Sequence, residues 1–360
     1  MRSAQLDSAS YAGKLQSWAS ERSSRGARSA AVDSPALLMK ELAQRELLAP
    51  CGPQRHDRFA RTCELARVLG RTCPLAVATT VLLHVSSSLV LISRYGDRAA
   101  RERWLAPALR GELLMAGSAF TDDDIELHRS HNGLELSGIA TVGLRSAEAS
   151  WGIVLAQDPA HVSALMLVVV SVAGHGGAPG SHDTRPGTIR LTGRPIGTDH
   201  LLGEVQLADG SLDGLIRESR IACCEAVVTH LEAVVEETLA FVTRRSLGTD
   251  VLARKQVIRH RLVELIGRRE IASALLAKAS CSIAAGHSDA PLLAAMAQLV
   301  VCDTASEIVD ECLQLFGGRG FLTDNWVTDS LRDVLALPLV LGDPMQLSEA
   351  IAAELVGGAP

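Results

Sequence analysis

From Ser34 onward the apolar positions recur at helical spacing: Leu37, Leu38, Leu42, Leu47 and Leu48 follow a Ser-Pro pair suited to a helix start. The same period predicts helices over roughly 57–71, 75–94 and 97–110. The pattern then shortens into β-type runs at 134–142, 151–157, 163–172 and 188–192, separated by Gly, Asn, Asp and Pro. Helical period returns over roughly 213–246, 250–286, 289–316 and 326–357, the last bending or breaking near Pro338 and Pro344. Residues 1–34, rich in Ser, Arg and Ala without a long apolar face, are expected to be a poorly ordered tail or a loosely docked helix. The chain is therefore mainly α with a β domain: a helical domain at 35–115, a middle β domain at 116–210 and four long helices at 211–360.

Composition narrows this picture. Hydrophobic residues make up 47% of the chain and aromatics only 3%, which favours helix-on-helix packing. A net charge of -6, with no basic stripe interleaved with aromatics, argues against nucleic acid as a partner. The longest apolar runs, such as Ala164 to Ala173, fall short of the roughly 20 residues that span a bilayer, and there is no apolar signal core. The expectation is a cytoplasmic protein without a membrane partner. The eight cysteines form no CxxC pair, and His128 and His131 in HRSHNG have turn composition and no third ligand nearby, so no metal site is expected.

Specific motifs then appear in order. RYGDRAARERWLAPALRGELLMAGSAFTD runs from Arg94 to Asp122; TRRSLG at 243–248 is followed by Gln256; AAMAQLVVCDTASEIVDECLQLFGGRGF occupies 294–321; Arg332 and Asp333 follow. Together these resemble the acyl-CoA dehydrogenase family, whose corresponding patterns read "lp.l..Ge...a.a.TE", "R..FG.pi...Q", "a.mAK....e.a......Q..GG.Gy" and "RD". The resemblance implies an N-terminal helical domain, a β-barrel-like middle domain, a C-terminal four-helix bundle, and FAD held between two subunits.

In that family one subunit carries the isoalloxazine and the acyl thioester, while its neighbour reaches across to the pyrophosphate and adenosine. The reaching-across set is present here. The resemblance gives Arg244 to the pyrophosphate, Gln256 and Gln314 to the same side, and Gly317 and Gly318 to a tight turn near the dinucleotide, with Leu247 in place of the usual Phe. Taken by themselves, Arg244 and Arg245 also read as a solvated helix end, and LFGGRGF as an ordinary helix C-terminus. Of the isoalloxazine set, Thr121 remains, but it is followed by DDDIELHRS instead of a Gly-Ser-Asp turn, and Val142 to Leu144 stand where the family has "W.T".

Desaturation also needs a carboxylate to take the substrate α-proton as hydride leaves for the flavin. Counting from Arg332 and Asp333 puts Leu341 at the family's glutamate, and leucine takes no proton. Some relatives carry the base on the first helix of the C-terminal domain, just before an Arg; here that place holds Ser219 and Arg220. Glu218, Glu225 and Asp343 are the substitute candidates, although Glu218, Glu225 and Glu232 recur every seven residues like one polar helix face. The leading expectation is a partner subunit that completes the FAD site of a catalytic chain acting on an acyl thioester, in a hetero- or homo-oligomer. The alternatives are an intact acyl-CoA or acyl-carrier-protein dehydrogenase with a relocated base, a monooxygenase-type relative, and a non-catalytic scaffold.

Overall fold

The computed structural model describes residues 2–24, 34–48, 56–116, 125–131, 133–142, 149–159, 164–172, 187–206, 210–322 and 326–356. Helices α1 (Arg2–Ser24), α2 (Pro35–Gln44) and α3 (Arg58–Thr72) lead into a continuous apolar rod. The rod comprises α4 (Leu75–Leu83), a wide π-type turn (His84–Ser88) and α5 (Leu89–Tyr95). After α6 (Arg98–Ala100) and a second π-type turn (Arg101–Leu105), α7 (Ala106–Leu109) closes the helical domain.

Helix α2 starts as its sequence predicts, with Ser34 Oγ accepting from Leu37 N–H at 3.3 Å and Pro35 in the first turn. For the first segment the structure takes the second of the two expected forms, a docked helix. Tyr11, Leu15 and Trp18 of α1 are buried, and Trp18 Nε1 donates to Glu41 Oε1 at 2.9 Å. Residues 11–24 are thus a docked helix and not a tail, because three apolar side chains spaced by four and three residues give it a core-facing stripe.

All residues of α4 are buried, and Thr79 and Thr80 return their hydroxyls to the carbonyls of Leu75 and Ala76. By length and composition, Leu75–Tyr95 and Ala290–Phe321 are apolar enough to cross a membrane, longer than the sequence runs suggested. Packing accounts for the first, whose apolar window is entirely buried inside the protein. The buried Asp333 carboxylate accepts from Ala76 N–H at 2.8 Å, satisfying an amide in the first turn of α4.

The middle domain holds β1 (Met115–Ala116), β2 (Ile125–Ser130), β3 (Gly133–Val142), β4 (Trp151–Gln157), β5 (Ala164–Ser171), β6 (Gly187–Ile196) and β7 (Leu201–Gln206). They form one sheet in the order β6-β3-β2-β4-β5-β7, with β1 parallel to β4. Strands β1, β2 and β7 were not legible from the pattern. HRSHNG begins in β2, where His128 pairs in register with Glu135, so its strand continues farther than its turn composition implies. Trp104, Trp151 and His200 meet edge-on at 4.9–5.6 Å and join the helical domain to the sheet.

The C-terminal bundle contains α8 (Ser211–Arg244), α9 (Gln256–Ala285), α10 (Ala290–Phe316), α11 (Trp326–Leu341) and α12 (Pro344–Val356). The short strands β8 (Ser246–Leu247) and β9 (Asp250–Val251) link α8 to α9. The last expected helix is two, bent by 50°. Pro338 lies inside α11, and the break falls at Gly342 and Asp343. Helix α8 is the centre of the molecule, packed against α3, α4, α9 and α10.

Candidate functional site

The chain reverses between α8 and α9 and again between α9 and α10. The C-termini of α8 and α10 therefore lie at the same end of the bundle as the N-terminus of α9. Phe241 and Phe316 stack at 4.5 Å and join the two C-termini, and the Arg319 guanidinium lies 5.9 Å from the Phe241 ring. Leu252 N–H donates to the Arg245 carbonyl at 2.8 Å, folding the linker back against α8.

This topology gathers Arg244, Gln256, Gln314, Gly317 and Gly318 at one bundle end, and all are exposed. Arg244 Nε donates to the Ala240 carbonyl at 2.9 Å, a self-cap that leaves the rest of its guanidinium outward. Gly317 has φ +60 and ends α10, so its glycine is accounted for by the left-handed backbone. Gly318 has no such constraint, and a Cβ there would meet nothing within 4 Å. Packing within the chain does not require glycine at 318; the close approach of a ligand would. The exposed Gly318 thus leaves room at this end for the close approach of a ligand.

The base position has the opposite character. Leu341 is fully buried, and its carbonyl accepts from Nε2 of the buried Gln298 at 2.8 Å. Gln298 stands where the resemblance has the lysine of "a.mAK". Gly342 follows with φ +121, and a Cβ on it would come within 2.7 Å of Arg220 Nη2. Ser219, at the alternative base position, is buried and shares a 2.6 Å hydrogen bond with Ser86 of the first π-type turn.

Each substitute carboxylate has a structural partner. Glu218 pairs with Arg58. Glu225 takes two hydrogen bonds from Arg67, at 2.9 and 3.1 Å, and a third from Ser280 Oγ at 2.9 Å. Glu232 lies 3.6 Å from Arg71, which also bonds Glu236 at 2.7 Å. The seven-residue glutamate repeat is thus a charge ladder from α8 onto Arg58, Arg67 and Arg71 of α3. Asp343 is exposed and accepts from Met345 N–H at 2.8 Å, capping α12.

Thr121, Asp122 to Asp124 and the Gly143 and Leu144 positions lie outside the described residues. The strand leading towards Thr121 is anchored by His84, whose Nδ1 accepts from Met115 N–H at 3.0 Å. Complete burial lowers the His84 pKa to about 4 and keeps the ring neutral. Sequence reading missed His84, Gln298 and the Ser86–Ser219 pair, since each acts through a partner far along the chain. Among the described residues no three His, Cys, Asp or Glu side chains gather as a metal site.

Residues 212–355 match the family model described as acyl-CoA dehydrogenase, C-terminal domain. The chain is 21% identical over 305 residues to the mitochondrial very long-chain specific acyl-CoA dehydrogenase of Mus musculus, covering 78% of this chain and 46% of that protein. It thus spans about half the length of these very long-chain relatives. It is 24% identical over 291 residues to the acyl-[acyl-carrier-protein] dehydrogenase MbtN of Mycobacterium sp. (strain MCS), covering 76% and 73%. Among solved structures, butyryl-CoA dehydrogenase from Megasphaera elsdenii superposes with a TM-score of 0.72 at 18% identity, over 89% of this chain and 90% of that one. The FAD complex of PigA gives 0.76 at 18% identity, over 98% and 97%.

Proposed function

Taking as premise that the chain is a member of the acyl-CoA dehydrogenase family, we propose that it serves as the subunit that completes a flavin site, with proton abstraction left to a second family chain. The observation that carries this reading is the contrast between the two family positions. The bundle end presents Arg244, Gln256, Gln314 and Gly318 outward, whereas the base position is closed over the buried Leu341.

FAD, when bound, supplies the electron acceptor for desaturation of an acyl thioester. This chain's residues do the rest of what the reading asks. Arg244 offers a permanently charged planar fork to a phosphate, and the two glutamine amides offer neutral donors beside it. Gly318 allows backbone to approach without a side chain in between. At the other position Gln298 and Leu341 leave no group able to hold a proton, and the candidate glutamates Glu218 and Glu225 are tied to Arg58 and Arg67. A carrier-protein-bound acyl group suits this reading as well as a CoA ester does, since the MbtN match extends over 73% of that relative.

The test is flavin stoichiometry. The chain purified alone is expected to be colourless, and the chain co-purified with a family member carrying the intact ring-binding and base motifs is expected to be yellow, with one flavin for each pair of chains. A lone chain that is yellow and is bleached by an acyl thioester would overturn the proposal.

A further inference from the structure

Two histidines, His84 and His230, are buried among the described residues, and their rings are wired in opposite ways. His84 Nδ1 accepts from the Met115 N–H, so a second ring proton would have to displace a backbone donor. His230, on α8, instead meets oxygens on both sides. Its Nδ1 lies 3.3 Å from the Gly70 carbonyl of α3, and its Nε2 lies 2.8 Å from Ser330 Oγ of α11. The approach to α3 depends on glycine, because a Cβ at Gly70 would run into the Ala226 carbonyl oxygen.

A carbonyl only accepts, so Nδ1 carries the proton of the neutral ring, and Nε2 accepts from the Ser330 hydroxyl. Ser330 Oγ also lies 3.1 Å from the Trp326 carbonyl, one turn back along α11. When a second proton reaches Nε2, the hydroxyl can turn its own proton to that carbonyl and accept from Nε2–H across the same 2.8 Å. Both charge states are then satisfied with every heavy atom in place.

The surroundings supply the opposite charge. A cavity of about 10 Å³, room for one water, adjoins the ring and is lined by Cys73 before α4 and by Asp329, Ser330 and Asp333 of α11. Burial of the ring opposes an added charge, and two carboxylates facing it across so small a space favour it. On α3, Arg71 beside Gly70 is matched by Glu232 and Glu236, and α4 carries no titratable side chain.

We propose that the His230–Ser330 joint is a buried proton-binding site, which takes up one proton as pH falls and tightens the seat of α11 on α8. It stands independently of the partner-subunit reading. The joint lies on the seam between the helical domain and the C-terminal bundle, where Asp333 also caps α4. An imidazolium bonded to Gly70 and Ser330 ties α3 and α11 to α8 by two charge-assisted bonds, where the neutral ring makes two ordinary ones. The folded state therefore binds this proton more tightly than the unfolded chain does. Its contribution to stability is present at low pH and is lost as pH rises, opposite in sign to that of His84.

The experiment is a heteronuclear NMR titration of the full-length chain, with the His230 ring signals assigned by their loss in His230→Gln. At high pH the ring should show a protonated Nδ1 and a bare Nε2. As pH falls both nitrogens should carry protons while the amide signals of α8 and α11 stay in place. Ser330→Ala removes the hydroxyl that changes direction and should weaken proton binding roughly tenfold, a drop of about one pH unit in the midpoint. Asp329→Asn, at a half-buried position, should lower the midpoint by a smaller amount, and keeps the test open if Ser330→Ala does not fold. A ring that stays neutral down to the pH at which the fold is lost, or a midpoint that both variants leave unchanged, overturns the proposal. So does protonation that displaces the α11 signals, since the proton would then break the joint.

Discussion

The bundle end and the surroundings of Leu341 are the two places where the resemblance puts ligand contacts, yet in this chain they obey opposite rules. At the bundle end the fold leaves residues without an internal explanation: Gly318 needs no glycine for packing, and Lys255 and Arg259 have no carboxylate among the described residues. Around Leu341 the named residues are engaged with one another: the Gln298 amide bonds the Leu341 carbonyl, and Ser86 bonds Ser219. Residues that packing does not require point to a partner outside the chain. Residues fully satisfied by one another point to a site that has become part of the core.

The sharpest way to break this comparison is to restore the base. Leu341→Glu places a carboxylate where the side chain is fully buried and where the neighbouring amide already serves a carbonyl. An unpaired buried charge of this kind is expected to cost on the order of 3–4 kcal/mol, measured by urea unfolding. A loss under about 1 kcal/mol would mean that the position opens onto space able to solvate a carboxylate, and the pocket would no longer count as closed.

A smaller effect follows from the neutral His84 at the start of the first π-type turn. Its folded-state pKa of about 4 lies below the ordinary 6.5, so the folded protein binds fewer protons than the unfolded chain as pH falls. Stability from this group is present above pH 6.5 and is lost progressively as pH falls towards 4, amounting to about 2 kcal/mol between pH 7.5 and pH 5. Urea unfolding of His84→Asn, whose amide oxygen accepts from Met115 N–H without taking a proton, should show a flatter profile over that window. Parallel profiles for the two proteins would show that His84 titrates normally.

What the sequence revealed depends on whether a signal is local. Helices α8, α9 and α10 have long periodic patterns, and their expected spans agree with the structure to within a few residues at the ends; α9 begins later because β9 and a 3-10 turn at Leu252–Arg254 take up the preceding residues. Helix α1 was left open between a tail and a docked helix although Tyr11, Leu15 and Trp18 carry a helical period, because three apolar residues in a polar segment make a weak stripe. Strand β2, IELHRS, is largely polar and short, and its identity comes from pairing with β3. At the candidate site, the residues that converge at the bundle end were legible as motifs in order. The partners of Glu218 and Glu225 were not, since Arg58 and Arg67 lie about 160 residues earlier and a single chain's charge pattern does not say which helices meet.

The mildest perturbation asks whether Glu225 is structure or chemistry. Glu225→Gln keeps one oxygen, as acceptor for Ser280 and for one Arg67 donor, and loses the second Arg67 bond together with the charge of a pair whose arginine is half exposed. The expected cost is about 1 kcal/mol, because solvent screens the outer partner and two of the three hydrogen bonds survive. Any acyl-thioester oxidation by the complex with a partner chain should be unchanged, since the proton would leave to a carboxylate on that partner. If Glu225→Gln abolished turnover while costing no more stability than this, the carboxylate between Arg67 and Ser280 would be the missing base. The buried region would then be an active site in its own right, and the division of labour between the two ends of the molecule would fall.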